Sequence, residues 1–200
     1  MKVINELKRT QGLPVRDLAD RLGMSYMGVK DMCVDLERRG FLDTWRQPQK
    51  IGRPTMLYRL TQRAHELFPV ASNPMTIELL EAAQKLFGPA ASEKLLLLVF
   101  QKKAENYQTR LKGDTVAERA KWFARLRDHE GYMSGCEIVA GEIRIIEHHS
   151  PILDLLRAFP LVARLEADMF ARVLATAVRR EEHSVSGLFC ATFFCGLASE

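Results

Sequence analysis

Hydrophobic positions recur along this chain with a helical period, then a strand period, then both again, and the changes divide it into three parts. In the first part Val3, Ile4 and Leu7 make a short stripe at i, i+3/i+4 spacing. After "GLP" a second stripe, Val15, Leu18, Ala19 and Leu22, lies within "VRDLADRL", and a third, Val29, Cys33 and Leu36, runs through "YMGVKDMCVDLERR". Pro14 suits the first turn of the second helix, where a missing N–H costs nothing. Gly23 ends that helix by tolerating left-handed backbone, Ser25 can cap the third by accepting a hydrogen bond from its first turn, and Gly40 closes it. Tyr26, Met27, Lys30 and Asp31 are left on the outer face near the N-terminus of the third helix. Two helices joined by a short turn containing glycine are the outline of a helix-turn-helix, although a generic three-helix bundle gives the same stripes.

The pattern then turns β-rich. "FLDTW" and "MLYRL" enclose "RQPQKIGRPT", which predicts a hairpin with Arg46, Lys50 and Arg53 at its basic Gly/Pro tip. A cationic tip without apolar residues gains nothing by folding inward. It gains by neutralising phosphate or entering a narrow minor groove, a merely solvated loop being the plain alternative.

Residues 74–130 return to the helical period in three segments, each stopped by a glycine: "PMTIELLEAAQKLFG", "AASEKLLLLVFQKKAENYQTRLKG" and "DTVAERAKWFARLRDHEG". The run "LLLLVF" places apolar residues all around its helix and predicts burial on every side, between the two halves of the protein or against a second subunit. An ordinary core helix is the alternative. The last part reads as a hairpin, "GYMSGCEIV" and "EIRIIEHH", turning at Ala140–Gly141. A helix over 151–175 follows, bent or split at Pro160, whose ring cannot continue the hydrogen-bond ladder. A second hairpin, "TAVRREEH" and "LFCATFFC", is expected to turn at Val185–Ser186. The fold class is therefore α+β: a winged helix-turn-helix over 1–70, a helical linker or dimerisation region over 71–130, and an α+β sensor or dimerisation domain of two β-hairpins and a helix over 131–200.

Charge sharpens this division. Residues 1–70 hold 13 Lys/Arg against 8 Asp/Glu, and residues 71–200 hold 16 against 17, so the basic excess belongs to the first third and points it toward a polyanion. The content of 47% hydrophobic and 27% charged residues is that of a soluble globular protein. The longest apolar run, Leu95–Phe100, is far short of the roughly 20 residues a membrane span needs, so no membrane partner is expected. The N-terminus lacks the apolar core of a secretory signal, which makes the cytoplasm the default location. Cys33, Cys136, Cys190 and Cys195 form no CxxC pair and are expected as thiols there. No GxSxG, HExxH, P-loop or GxGxxG motif is present, and no enzymatic activity is expected.

"LADRLGMSYMGVKDMCVDLERRGFL" followed by "GRPTMLYRLTQRAHELFP" resembles the winged-helix repressors of the DeoR/ArsR-like group, and most closely the SufR-type regulators that sense iron–sulfur status. The resemblance covers about residues 14–69: Leu36-Glu37 to Gly40-Phe41, Gly52-Arg53-Pro54, Tyr58, Leu60-Thr61 and Leu67-Phe68-Pro69, with Ala64 where a glycine is usual. It continues in "EHHSPI", "FPLVARLE" and "FCATF". In that family three cysteines ligate an iron–sulfur cluster. Their positions fall here on Ser150, Ala163 and Cys190, so only one of the three is a cysteine. Clusters are held chiefly by thiolates, serine is a poor substitute and alanine cannot ligate, so no cofactor is expected and an iron–sulfur cluster or transition metal is disfavoured.

His148 and His149 point to opposite faces if the chain is extended there, and neither reaches Cys136, which the Ala140–Gly141 turn sets opposite Ile145. Cys190, His183 and one of His148 and His149 form the constellation that would make a metal- or haem-responsive regulator, provided the two hairpins meet. The leading expectation is a DNA-binding transcriptional regulator, a homodimer on an inverted-repeat operator in double-stranded DNA, with a small effector as a further partner. Ser25 would cap the recognition helix, Tyr26, Met27 and Lys30 would face base edges, Lys50 and Arg53 would engage backbone or minor groove, and Arg46 (or Lys2) would add a phosphate contact. A winged helix used for protein–protein contact is the remaining alternative.

Overall fold

The computed structural model describes residues 2–48, 54–68, 74–185 and 188–196. Among them are eight α-helices and two antiparallel sheets, an α+β architecture. The chain divides into two compact units, residues 1–68 with 184–189, and residues 69–183 with 190–200. No helix among the described residues is long and apolar enough to cross a membrane.

In the first unit α1 (Lys2–Thr10), α2 (Val15–Leu22) and α3 (Tyr26–Arg38) precede a two-stranded sheet of β1 (Leu42–Gln47) and β2 (Thr55–Leu60). The three stripes read from the sequence supply most of the core: Val3, Ile4 and Leu7 from α1, Val15, Leu18 and Ala19 from α2, Val29 and Cys33 from α3 are buried, while Leu22 and Leu36, the last members of the second and third stripes, are half buried. Each of the valine, isoleucine and leucine side chains among them contributes roughly 1.5–3 kcal/mol by leaving water. Leu60 and Ala64 close the core from below the sheet, Ala64 within a short 3-10 turn over Gln62–Leu67. The Leu13 N–H donates to Tyr58 O and the Tyr58 N–H to Leu13 O, so the segment before α2 is tied to β2. Lys8 is buried with its ammonium 4.1 Å above the ring of Phe68, a cation–π seat in place of solvent.

The second unit opens with α4 (Pro74–Phe87), α5 (Ala91–Arg110) and α6 (Val116–Arg127), and α6 runs into a π-helical turn over Asp128–Tyr132. Thr115 caps α6 in a reciprocal box: its hydroxyl accepts from the Glu118 N–H while the Glu118 carboxylate accepts from the Thr115 N–H. β3 (Ser134–Val139) and β4 (Glu142–Glu147) follow, then α7 (Leu153–Ala158), α8 (Leu161–Leu174), β5 (Val178–Val185) and β6 (Leu188–Cys195). The helix expected over 151–175 is split at Pro160, which precedes the first turn of α8. The first hairpin has the register read from the sequence, Cys136 opposite Ile145, and its turn takes left-handed backbone at both Ala140 (φ 51°) and Gly141 (φ 86°). The two hairpins do meet. β4 pairs with β6, giving one four-stranded sheet in the order β3-β4-β6-β5.

The core of this unit lies between one face of the sheet (Ile145, Phe193, Ala191) and helices α5, α6 and α8. Four aromatic rings run through it. Phe170 stacks on Phe193 with centroids 3.7 Å apart, Phe123 meets Phe170 edge-on at 4.7 Å, and Tyr107 meets Phe123 edge-on at 4.9 Å. Beside them Arg127 is fully buried and ligated by two equally buried carboxylates, Glu147 and Glu166.

Three expectations change on inspection. The run 95–100 is not buried on every side within one chain: Leu96 and Phe100 face the core, while Leu95, Leu97, Leu98 and Val99 are about half exposed. The helix turns its Leu96/Phe100/Ala104/Tyr107 face inward, and a 100° step per residue carries the neighbouring leucines outward. Arg46 is not at the hairpin tip but within β1, opposite Met56, because the ladder continues two residues past Trp45. β5 runs on through Val185, so Val185 lies in the strand and not in the expected turn, and Ser186 lies outside the described residues.

Candidate nucleic-acid interface and the histidine–cysteine pair

The outer surface of α3 is built by its cap. Gly23 takes the left-handed conformation (φ 61°, ψ 35°) and its N–H closes α2 onto Ala19 and Asp20. Two residues on, Ser25 is extended and its hydroxyl accepts from the Gly28 N–H at 3.2 Å. That bond satisfies one of the donors a helix leaves unpaired at its start, and it fixes the direction in which α3 leaves the turn. With Val29 and Cys33 locked inward, Tyr26, Met27, Lys30 and Asp31 stand in solvent. Tyr26 and Met27 are more than half exposed although both are large and apolar in part. No ion pair restrains Lys30 among the described residues. The Cys33 thiol, pushed up to about 11 by burial and then by Glu37, stays protonated and belongs to the core.

The exposed surface of the first two turns carries four chemistries: an ammonium that can donate to guanine O6 and N7 or to phosphate, a phenol, an apolar thioether suited to a thymine methyl, and the Asp31 carboxylate, which can accept from cytosine N4 and repels phosphate. The positive end of the α3 dipole lies in the first of these turns. Beyond α3, the sheet is braced by a two-point ion pair, Arg59 Nε to Asp43 Oδ1 at 2.7 Å and Nη2 to Oδ2 at 3.0 Å. Arg39 and Arg63 each lie over the ring of Phe41, at 5.2 and 5.4 Å. Arg46 is exposed on β1, Trp45 beside it is about half exposed, and Lys2 is exposed at the start of α1. Lys50 and Arg53 lie outside the described residues. Trp45 carries no mark in the sequence reading, where its β propensity placed it in a strand; its exposure depends on which face of a two-stranded sheet is covered.

The second unit holds the remaining candidates. Ile146 pairs with Thr192 and Glu147 with Ala191, so one step further His148 stands opposite Cys190, and its Nδ1 lies 3.9 Å from Cys190 Sγ. The two backbone N–H groups of the histidine pair extend the β3–β4 ladder, His148 donating to Met133 O and His149 to Tyr132 O. His148 is half buried on the face away from the aromatic core, whereas His149 and Ser150 are buried. His183 stands apart on β5, half exposed, with Nε2 3.9 Å from Glu181 Oε2. The fold thus unites His148 with Cys190 and leaves His183 out. Among the described residues no three His, Cys, Asp or Glu side chains converge as metal ligands.

The donor set does not fit the iron–sulfur cluster that the resemblance implies. Ala163 is half buried on α8 and has no ligating atom, and the Ser150 hydroxyl is buried without a hydrogen-bond partner among the described residues. One thiol beside one imidazole supplies two donors where such clusters take four. Cys136, opposite Ile145, and Cys195, opposite Ile143, add none, since they lie on the core-facing side of the sheet, away from His148 and Cys190.

No family model, no curated protein and no solved structure matches the chain.

Proposed function

We propose that this protein is a DNA-binding transcriptional regulator whose first unit is a winged helix-turn-helix and which acts as a homodimer on an inverted repeat. The observation that carries this reading is the α2–Gly23–Ser25–α3 turn. A left-handed glycine and a serine cap set a helix whose first exposed turn presents Tyr26, Met27 and Lys30, on a unit that continues into a two-stranded hairpin. Tyr26 and Met27, each more than half exposed, are open to a ligand at that turn. The basic balance of residues 1–70 supports the same partner. In this reading Tyr26, Met27 and Lys30 contact base edges in the major groove, and Lys50, Arg53 and Arg46 contact backbone or minor groove. No cofactor is part of the proposal, the protein resides in the cytoplasm, and a small molecule serves as effector.

Selection from a pool of duplexes with a randomised core tests it. Enrichment of a two-fold symmetric sequence, with half-sites about one helical turn (~10 base pairs) apart, is the expected result. A pool that stays random after repeated rounds contradicts it.

The His148–Cys190 pair favours one second reading, a regulator that responds to a soft metal ion. Two donors 3.9 Å apart could be completed by ligands from outside the chain. A metal-dependent change in DNA affinity that Cys190→Ser abolishes would support it.

A further inference from the structure

Helix α4 has two apolar faces, and the described residues bury only one. Leu80 is its buried residue, with Ile77, Ala83 and Gln84 half buried around it; α4 packs on α5, and Gln84 donates to the Ser92 hydroxyl at 2.6 Å. On another face Met75, Leu79, Ala82 and Leu86 follow one another at spacings of four, three and four, the heptad seam of a helix that packs against another helix. All four are exposed, Leu79 at 63% and Leu86 at 75%. With Phe87 and with Leu95 and Leu98 of α5, this helix pair leaves on the order of 700 Å² of large apolar side chain in water.

The seam is complementary to itself. An antiparallel two-fold pairing of α4 with a second α4 sets Met75 beside Leu86 at both ends and Leu79 beside Ala82 near the axis, so large faces small where the helices come closest. The charges agree. Glu78 and Lys85 are seven residues apart on one flank of the seam, both exposed, and the same two-fold brings Glu78 of one copy beside Lys85 of the other, twice. A parallel two-fold would carry this flank of the two copies to opposite sides of the seam and leave neither charge its partner.

We propose that two copies of this chain associate through α4, with α5 at the rim, in an antiparallel isologous interface centred between Leu79 and Ala82. This rests on the homodimer part of the function proposed above and names its surface. The occupant is a second copy because the flanking charges and the large–small alternation both close under a two-fold axis.

The test is sedimentation equilibrium of the full chain and of Glu78→Lys, Lys85→Glu and the double variant. The wild type is expected at twice the 22.8 kDa chain mass. Each single variant places like charges together in both symmetry-related pairs and is expected to weaken the dimer on the order of tenfold, and the double variant to restore it. A wild-type dimer indifferent to all three variants overturns this surface while leaving homodimeric DNA binding standing. A wild type that is monomeric on DNA as well overturns both. Should a charge variant lose helicity, Ala82→Cys decides. A short bis-maleimide is expected to trap it as a covalent dimer that wild type does not form, and failure to trap it at concentrations where the protein is dimeric refutes the antiparallel seam.

Discussion

Arg127 Nε lies 2.7 Å from Glu147 Oε1 and its Nη2 lies 2.8 Å from Glu147 Oε2, a two-point ion pair whose partners are each 1% exposed. The same Nη2 donates to Glu166 at 2.7 Å, and the guanidinium lies 3.2 Å from the centre of the Tyr132 ring. The cluster pins three elements at once, the end of α6, the end of β4 and the middle of α8. Removing the cation leaves Glu147 without its two-point partner in a dry core and leaves Glu166 only Arg180, whose Nε lies 3.5 Å from Glu166 Oε2. Arg127→Met is therefore expected to destabilise the second unit by about 3–5 kcal/mol, read by urea unfolding, while replacing all three members by apolar residues recovers most of that loss.

Glu147 also sets a pH dependence. Burial raises its carboxyl to about 7, against the opposing pull of Arg127. A carboxyl whose folded value is raised binds its proton more readily when folded, so its contribution to stability is full below about 4.5 and is lost as pH rises through about 7. Stability measured across that window should fall with a slope of at most about 1.4 kcal/mol per pH unit, and Glu147→Gln should flatten it. A profile that rises there in the wild type would contradict the assignment.

Phe170 joins the ring of Phe193 at 3.7 Å to that of Phe123 at 4.7 Å, and it is completely buried. Phe170→Ala should cost about 3–5 kcal/mol, as a cavity between two rings that cannot collapse toward each other. Calorimetry would register it as a lower melting temperature of the second unit.

On α3, substitution separates fold from recognition. Ser25→Ala removes the cap and is expected to cost about 1 kcal/mol of stability. Lys30→Ala leaves stability unchanged within about 0.5 kcal/mol, since the side chain is exposed. If Lys30 contacts phosphate, its loss weakens binding to all duplexes alike and lowers the salt slope by about one; if it reads guanine, it relaxes specificity at one position. Quantitative binding to single-base operator variants tells the two apart.

Much of this arrangement is legible in the residues themselves. The three stripes of the first unit, the Gly23 and Ser25 caps, the Ala140–Gly141 turn and the split at Pro160 are local devices, each dictated by a few neighbouring residues. Arg127 escapes such a reading because its ligands lie 20 and 39 residues away, and periodicity counts all three as polar. The α4 seam escapes it for the opposite reason: its pattern satisfies a core-facing helix, and only the structure shows which of two apolar faces is buried. His148 and Cys190, 42 residues apart, meet because β4 pairs with β6, a choice of strand order that no single segment encodes.

The central claim is a sequence-reading, phosphate-contacting protein, and fluorescence anisotropy of the full chain with a selected duplex across a series of salt concentrations tests it most directly. The account predicts a linear fall of log affinity with log salt concentration, by about 0.9 per phosphate contacted, and tighter binding to the selected duplex than to its scrambled counterpart at every salt. Binding that is absent, or that ignores both salt and sequence, would contradict it and leave the exposed face of α3 to a protein partner.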